Sequence, residues 1–260
     1  MDVSEADLQL HAPHQFNPRS GELGQREETI DQILTHRQLL ASVLTMTYIA
    51  ERREEEKERR RAEIVDAAEQ LYSEHGWETV TVEQVARTAR LSRALVYVYF
   101  RDKEELLFAI GERAMVVLRE RFVAAAASQL RGMDKVEAIG RAYMKYAHDF
   151  PHYFDVCARF QAHSVSAEPG SNEGACANAG DDAIGEVVKA IVIGMQDGSI
   201  SADVGPPMML AISLWGFTHG IIQVAMAKGK ELARFGIETP ALGDYAFAML
   251  RRMAQAGAPV

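Results

Sequence analysis

The chain has 260 residues, of which 48% are apolar and 25% charged, a composition typical of a globular protein with one large domain or two modest ones. Its net charge of −9 excludes a protein that coats nucleic acid over its whole surface, but not one with a local basic face. Two cysteines, Cys157 and Cys176, are too few for a disulfide framework and lack zinc-site spacing. This cysteine usage favours the reducing cytoplasm.

Residues 1–57 are predicted to form an N-terminal extension. Residues 1 to about 24 contain prolines and glycines and are predicted to lack fixed structure. Between residues 25 and 50, apolar side chains recur at helical spacing, which predicts an extra amphipathic helix. This helix either packs on its own chain or on a partner subunit, or it is little used because translation starts later, for example at Met46. The segment 51–63 is dense in both charge signs and predicts a solvated helix with ion pairs.

Three helix starts follow one another within residues 81–103. Thr81 and Gln84 form a capping box, Ser92 is a second N-cap, and Asp102 with Glu105 starts a third helix. The stretch leaves no room for a strand between these starts. Such spacing is the pattern of a helix-turn-helix, placed here at about residues 81–100.

The run LSRALVYVYFRDKEEL at residues 91–106 resembles the signature of the TetR family of bacterial transcriptional regulators. The resemblance extends back through RAEIVDAA at residues 61–68 and covers about residues 58–108. It implies a homodimeric repressor with a three-helix DNA-binding domain at residues 58–118. It also implies that residues 119–260 form a helical bundle that binds a small effector and dimerises. Arg90 stands where the family usually has Gly, which predicts a positive φ at a non-glycine residue.

The helix caps and the resemblance indicate the same candidate DNA-binding residues. Thr81 and Ser92 begin helices whose unpaired backbone N–H groups favour phosphate. By resemblance, Arg93 and Ala94 face the major groove, and Tyr97 and Lys103 hold the DNA backbone. The predicted set is Thr81, Arg90, Ser92, Arg93, Ala94, Tyr97 and Lys103. Tyr99 and Phe100 are predicted to lie in the core, whereas both DNA contact and plain solvation stay open for residues 59–61 and for Arg87.

The rest of the chain predicts helices joined by short breaks. They are placed from Asp102 to about 127, over 133–148, from Pro151, over 182–196, from residues 206–207 to 228, and over 240–255, with a long loop at 164–180. No strand-like alternation or repeat occurs in the sequence, so the predicted class is all-α. Residues 205–227 carry no charge and could span a bilayer by length. Their prolines and polar residues favour a helix buried in a bundle or dimer, with no membrane partner.

Aromatic residues gather in the C-terminal half, where an apolar cavity between helices would hold an effector. The candidate ligand-binding residues are Phe122, Tyr146, Phe154, Phe160, Trp215 and His219, with ordinary core packing as the alternative for each. The order Trp215 to His219-Gly220 resembles the signature of one C-terminal TetR subgroup. His148, His152, Cys157 and His163 straddle Pro151 without a carboxylate, so no metal site is predicted. No cofactor motif is present in the sequence.

Together these features predict a ligand-responsive transcriptional regulator rather than an enzyme. The hypothesis is a cytoplasmic homodimer, paired through its last two helices, that a small apolar or aromatic effector releases from a double-stranded, pseudo-palindromic operator. One alternative is an enzyme or small-molecule carrier built on the C-terminal bundle. Another is a regulator controlled by a protein partner through the N-terminal helix. The identity of the effector and the operator sequence do not follow from the sequence.

Overall fold

The computed structural model describes residues 19–160 and 170–255, with side chains for residues 46–159 and 170–254. Within these ranges every regular element is a helix, which confirms the all-α class. The α-helices are α1 (Arg19–His75), α2 (Val82–Thr88), α3 (Arg93–Tyr99), α4 (Lys103–Ala127), α5 (Gly132–Asp149), α6 (Pro151–Phe160), α7 (Asn172–Gln196), α8 (Pro207–Arg234) and α9 (Thr239–Gln255). Short 3-10 turns lie at Trp77–Thr79 and Ala202–Val204.

The N-terminal region departs from the prediction because α1 is one continuous helix. The helix predicted near residues 25–50 and the charged helix predicted over 51–63 are parts of this one element, since the sequence from 25 to 75 contains no proline or glycine to interrupt it. Residues 19–24, predicted to lack fixed structure, are also helical. Residues 1–18 and the apolar stripe predicted between 25 and 45 lie outside the described residues or side chains.

The chain divides into two units, residues 1–60 and 61–260. In the first unit, the described side chains are almost all exposed, as predicted for the charged segment. Glu56 pairs with Arg59 at 2.6 Å and with Arg60 at 3.0 Å. Such exposed pairs one helical turn apart give a solvated helix modest support.

In the second unit, the end of α1 packs with α2 and α3 to form a small head. Its core includes Ile64, Tyr72, Val85, Val96 and Phe100, all buried. Phe100 therefore lies in the core as predicted, and Tyr99 is packed against it. Each predicted cap is present, because the side chains of residues 81, 92 and 102 accept hydrogen bonds from the backbone N–H three residues ahead. These caps fix where each helix begins.

The remaining helices form the body, in which α4 packs against α5, α6 and α7. The predicted loop at 164–180 is wrong from residue 172 onward, because α7 already begins at Asn172. Ser171 Oγ accepts a hydrogen bond from the Gly174 N–H at 3.0 Å and starts the helix. Small buried residues then recur at helical spacing at Cys176, Ala179 and Ala183. Residues 161–169 lie outside the described residues, including His163.

Helix α8 carries the uncharged stretch and extends past its predicted end at 228. Lys228 has non-helical angles, φ −119° and ψ 17°, and the helix resumes after this kink to end at Arg234. By length and composition α8 could cross a membrane, which is weak evidence because core helices pass the same test. Only 22% of its most apolar stretch is buried among the described residues, so a single chain does not bury this helix.

Candidate nucleic-acid interface and ligand cavity

Helix α3 is held by one face and presents the other to solvent. Val96 and Phe100 bury the inner face against the head core. On the outer face Arg93, Ala94 and Tyr97 are exposed. Of the seven residues predicted to bind DNA, only Lys103 is not fully on the surface. The structure therefore brings the predicted set together around one exposed helix and the two helix starts beside it.

The guanidinium of Arg93 is tied to two neighbours on this surface. It pairs with the Glu83 carboxylate of α2 and donates a hydrogen bond to the Tyr97 hydroxyl at 3.2 Å. It also lies 5.4 Å from the centre of the Tyr97 ring. The hydrogen bond with Tyr97 and the charge of Glu83 raise the pKa of Arg93. Exposed ion pairs are weak and readily exchanged, so the guanidinium stays available to a stronger anionic partner.

Lys103 is bound to the head by an interaction that the sequence did not predict. Its Nζ donates a hydrogen bond to the Trp77 carbonyl oxygen at 2.6 Å and lies 4.7 Å from the centre of the Trp77 ring. Burial lowers the pKa of Lys103. An ammonium group has three N–H donors, so one is used here and the others can reach a phosphate.

The turn between α2 and α3 contains the predicted strained residue. Arg90 has φ 57°, which confirms the expectation of a left-handed conformation at a non-glycine position. Its N–H donates to the Arg87 carbonyl at 3.1 Å, which closes the turn. The side chain is exposed beside the start of α3. The turn therefore carries the positive charge of Arg90, and the backbone of Arg90 is strained because a non-glycine residue has a positive φ there.

A cavity of about 420 Å³ lies in the body. Its wall is mostly apolar and aromatic, with contributions from α4, α5, α6, α7, α8 and α9. Phe122 and Trp215 of the candidate ligand-binding set line it, and Tyr143 lines it as well. The wall also includes Phe108, Met115, Leu118, Glu137, Cys157, Glu173, Cys176, Asp181 and Ile212. A cavity of this size and character suits a small apolar ligand.

Three residues of the predicted ligand set lie behind the cavity wall rather than on it. Tyr146 is fully buried and its hydroxyl donates to the Ala114 carbonyl at 2.8 Å. Phe154 stacks on His219 with ring centres 4.5 Å apart. His219 is buried, and its Nδ1 is hydrogen-bonded to the Tyr143 hydroxyl at 2.8 Å. These three side chains support the wall from behind. The side chain of Phe160, the remaining residue of the predicted set, lies outside the described side chains.

The imidazole and the two thiols at this wall are held in their neutral forms. Burial lowers the pKa of His219, which favours the uncharged imidazole. Burial raises the pKa of both Cys157 and Cys176 to about 12, so the thiols stay protonated at neutral pH. A protonated thiol is a poor nucleophile and a poor metal ligand. Among the described residues, no group of three or more His, Cys, Asp or Glu side chains could hold a metal ion.

A polar network joins the helices of the cavity wall to the head. Arg113 of α4 pairs with Asp66 and Glu69 of α1. The Tyr153 hydroxyl of α6 donates to the same Glu69 at 2.6 Å. Burial and the Glu69 carboxylate raise the pKa of Tyr153, which keeps the hydroxyl as a donor. The network is a direct polar link between α1 and the helices that carry Met115 and Cys157 of the cavity.

A second set of contacts extends this link to the end of α1. The Tyr72 hydroxyl of α1 donates to Asp155 of α6 at 2.5 Å. Arg159 of α6 pairs with the same Asp155 at 2.9 Å and with Glu78 of the head at 2.7 Å. Helix α6 therefore contacts the cavity on one face and holds the head with the other.

Comparison with known proteins adds family matches to this geometry. A family model for bacterial regulatory proteins of the tetR family matches residues 64–110, and one for the tetracyclin repressor-like C-terminal domain matches residues 136–235. The HTH-type transcriptional regulator HbdR from Aromatoleum sp. (strain CIB) is 49% identical over 51 residues, which are 20% of this chain and 22% of HbdR. The chain spans 22% to 44% of the first curated relatives it matches. Two of the matched relatives are named repressors.

Solved structures share the fold at low sequence identity. A protein of unknown function from Rhodococcus sp. RHA1 is 20% identical, with a TM-score of 0.63 over 75% of this chain and 94% of its own. AibR in complex with isovaleryl coenzyme A and operator DNA is 18% identical, with a TM-score of 0.55 over 73% of this chain and 97% of its own. At such identities these likenesses show the fold alone.

Replacing Arg90 by glycine should stabilise the fold. Glycine adopts φ near 57° without the Cβ clash, so we expect Arg90→Gly to raise the free energy of unfolding by about 1 kcal/mol in urea titrations. Arg87→Gly is the matched control, because Arg87 lies within α2, where glycine costs roughly 0.5–1 kcal/mol. If both variants lose stability alike, Arg90 is not strained.

Proposed function

Because the chain belongs to the TetR family of bacterial regulatory proteins, we propose that it is a homodimeric transcriptional repressor controlled by a small apolar effector. The observation that carries the proposal is that the head, which presents the exposed helix α3, is joined to the helices of one apolar cavity by the polar network of Asp66, Glu69, Arg113 and Tyr153. The matched family models cover both parts. Such a protein acts where DNA is, in the cytoplasm.

In this proposal α3 enters the major groove of duplex DNA. Its N-terminal side chains, Arg93 and Ala94, face the base edges, while Tyr97, Lys103 and the N–H groups at Thr81 contact phosphates. On binding, Arg93 exchanges the exposed Glu83 carboxylate for the DNA. Arg90 adds a positive charge at the turn next to this face. The exposed, cap-defined start of α3 supports this orientation.

The exposed apolar faces of α8 and α9 support dimerisation through these helices. Met208, Met209 and Met226 are exposed on α8, and Tyr245 and Met253 are exposed on α9. A large exposed apolar surface of this kind usually marks an interface. A second copy packed on it would bury the uncharged stretch that one chain leaves open. A twofold dimer would then place two α3 helices about 34 Å apart, one turn of DNA.

Effector binding in the cavity would act through α4 and α6. Both helices line the cavity and both hold α1 through the polar network, so a shift of either one moves the head. Side-chain packing in the body cannot deform continuously, so a small displacement at the wall is passed on. An effector changes operator affinity only by as much as it prefers one of the two states.

The cavity is less compatible with the alternative of an enzyme. Its thiols are protonated, His219 is turned into the wall toward Tyr143, and the rest of the lining is largely apolar. Such a lining binds by shape and burial rather than by proton or group transfer. Control by a protein partner through α1 is separated from effector control by deleting residues 1–50, after which our proposal predicts retained operator binding.

Two substitutions should separate base reading from phosphate contact. Arg93→Ala should lower discrimination between operator and mismatched DNA roughly tenfold, because base contacts carry specificity. Lys103→Ala should instead weaken binding to all sequences and reduce the salt slope of log affinity by about 1. Gel-shift titrations at several salt concentrations measure both quantities. Lys189→Ala on α7, far along the chain from α3, is the control, and an unchanged preference in Arg93→Ala contradicts the role given to Arg93.

A charge on the exposed face of α8 should disrupt the dimer. Met209 is 66% exposed and does not line the cavity, so Met209→Glu should spare the chain's own fold but oppose burial in a partner. We expect a monomer by light scattering and at least a tenfold loss of operator affinity. Leu130→Glu is the matched control at a site 94% exposed outside α8 and α9. A Met209→Glu protein that stays dimeric places the interface elsewhere.

A further inference from the structure

We propose that the effector carries a positive charge, as an amine, amidine or quaternary ammonium attached to an apolar body. This inference rests on the proposed function of the cavity as the effector site, and it adds the ligand's charge. It is opposite to the charge of coenzyme A thioesters such as the one bound to AibR, whose phosphates are anionic. Both the sign of the charged lining residues and the aromatic composition of the wall favour a cation.

Among the residues whose side chains are described, every charged residue that lines the cavity is acidic. Glu137, Glu173 and Asp181 are the three, and no Lys, Arg or His is among the lining residues that the structure describes. A cavity lined by one sign of charge with low-dielectric walls concentrates the field of that charge. A ligand anion would therefore meet repulsion without any cation to offset it.

Glu137 is already neutralised, so it contributes little to this field. It pairs with Arg251 at 2.7 Å and with Arg141 at 3.0 Å. Although burial opposes it, these two guanidinium groups hold the pKa of Glu137 below its usual value. The arginines are not in surplus, because Arg251 also pairs with Asp134 and Arg141 with Asp244. The pairs leave no basic group to receive a ligand anion.

Glu173 and Asp181 differ, because neither has an ion-pair partner among the residues whose side chains are described. Both lie on α7, where Glu173 is half-buried and Asp181 is exposed. Arg61 donates to the side chain of Asn172, next to Glu173, at 2.6 Å and pairs with Glu112 at 3.6 Å, so its guanidinium already has two partners. Two uncompensated carboxylates thus remain at the α7 side of the cavity.

The aromatic wall favours the same sign of charge. Phe108, Phe122, Tyr143 and Trp215 line the cavity, and the face of an aromatic ring carries a negative partial charge that attracts cations. The apolar area of these rings also binds an uncharged ligand body. A ligand with an aromatic or aliphatic body and one cationic end satisfies both parts of the lining.

Three matched probes test the ligand charge on the full-length protein. 2-Naphthylmethylamine, 2-naphthylmethanol and 2-naphthoate share one ring system and differ at neutral pH in carrying a positive, zero or negative charge. An opposite charge at about 4–6 Å shifts a pKa by one unit or more, which corresponds to at least a tenfold change in an equilibrium constant. We therefore expect the amine to bind at least roughly tenfold tighter than the naphthoate in titration calorimetry. The neutral alcohol should bind between them.

Isosteric variants assign the preference to the two carboxylates. Glu173→Gln and Asp181→Asn should each reduce the amine-to-naphthoate affinity ratio by roughly threefold or more, while the alcohol's affinity stays unchanged. Asp182→Asn is the matched control, because Asp182 is also an acid on α7 but does not line the cavity. Circular dichroism of each variant verifies that the fold is intact.

The outcomes separate this inference from the proposed function. If all three probes bind with similar affinity, or if naphthoate binds most tightly, the charge preference is wrong and the proposal of an effector cavity stands. The same holds if the two variants change the ratio no more than Asp182→Asn does. If none of the three probes binds, the cavity is not an effector site and both proposals fail, whereas operator binding measured in parallel still tests the DNA-binding part.

Discussion

The attachment of α1 to the body is the interaction on which the rest of this structure depends. Arg113 and Tyr153 converge on Glu69, while Tyr72 and Arg159 converge on Asp155. Removing one partner from such a half-buried network leaves a desolvated charge unpaired, which makes the network resist partial opening. The orientation of α3 relative to the cavity is therefore set by contacts that α4 and α6 make, and these two helices also form part of the cavity wall.

The body leaves room for a ligand because large and small side chains are distributed unevenly. Small residues of α7, such as Gly174, Ala179 and Ala183, allow a close approach to α4. At the start of α5, Gly132 lies so near Gly194 that a Cβ there would fall 1.9 Å from a backbone nitrogen. The rings that need space are instead placed around the cavity, and the buried Tyr143–His219 hydrogen bond holds that wall in place.

The head could be predicted from the sequence because its determinants are local. Caps act within three residues, and the strain at Arg90 follows from the presence of arginine where the resembled family usually has glycine.

The body was harder to predict from the sequence, for physical reasons. Gly, Ser and Asn in residues 171–180 have low helix propensity or favour turns, so the local sequence alone did not indicate the helix that packs on α4. Tyr143 and Tyr146 are both buried aromatics on α5, yet only Tyr143 lines the cavity, and this depends on how whole helices pack. The bond from Lys103 to the Trp77 carbonyl joins residues distant in sequence, which no local pattern reveals.

In our proposal, two copies of α3 in a dimer read successive major grooves of the operator. Selection of the purified full-length protein on a random duplex DNA library tests it most directly. We expect enrichment of an inverted repeat whose half-site centres lie about 10 bp, or a multiple of that spacing, apart. Enrichment of a single unrepeated site, or of no sequence above the starting library, would contradict it.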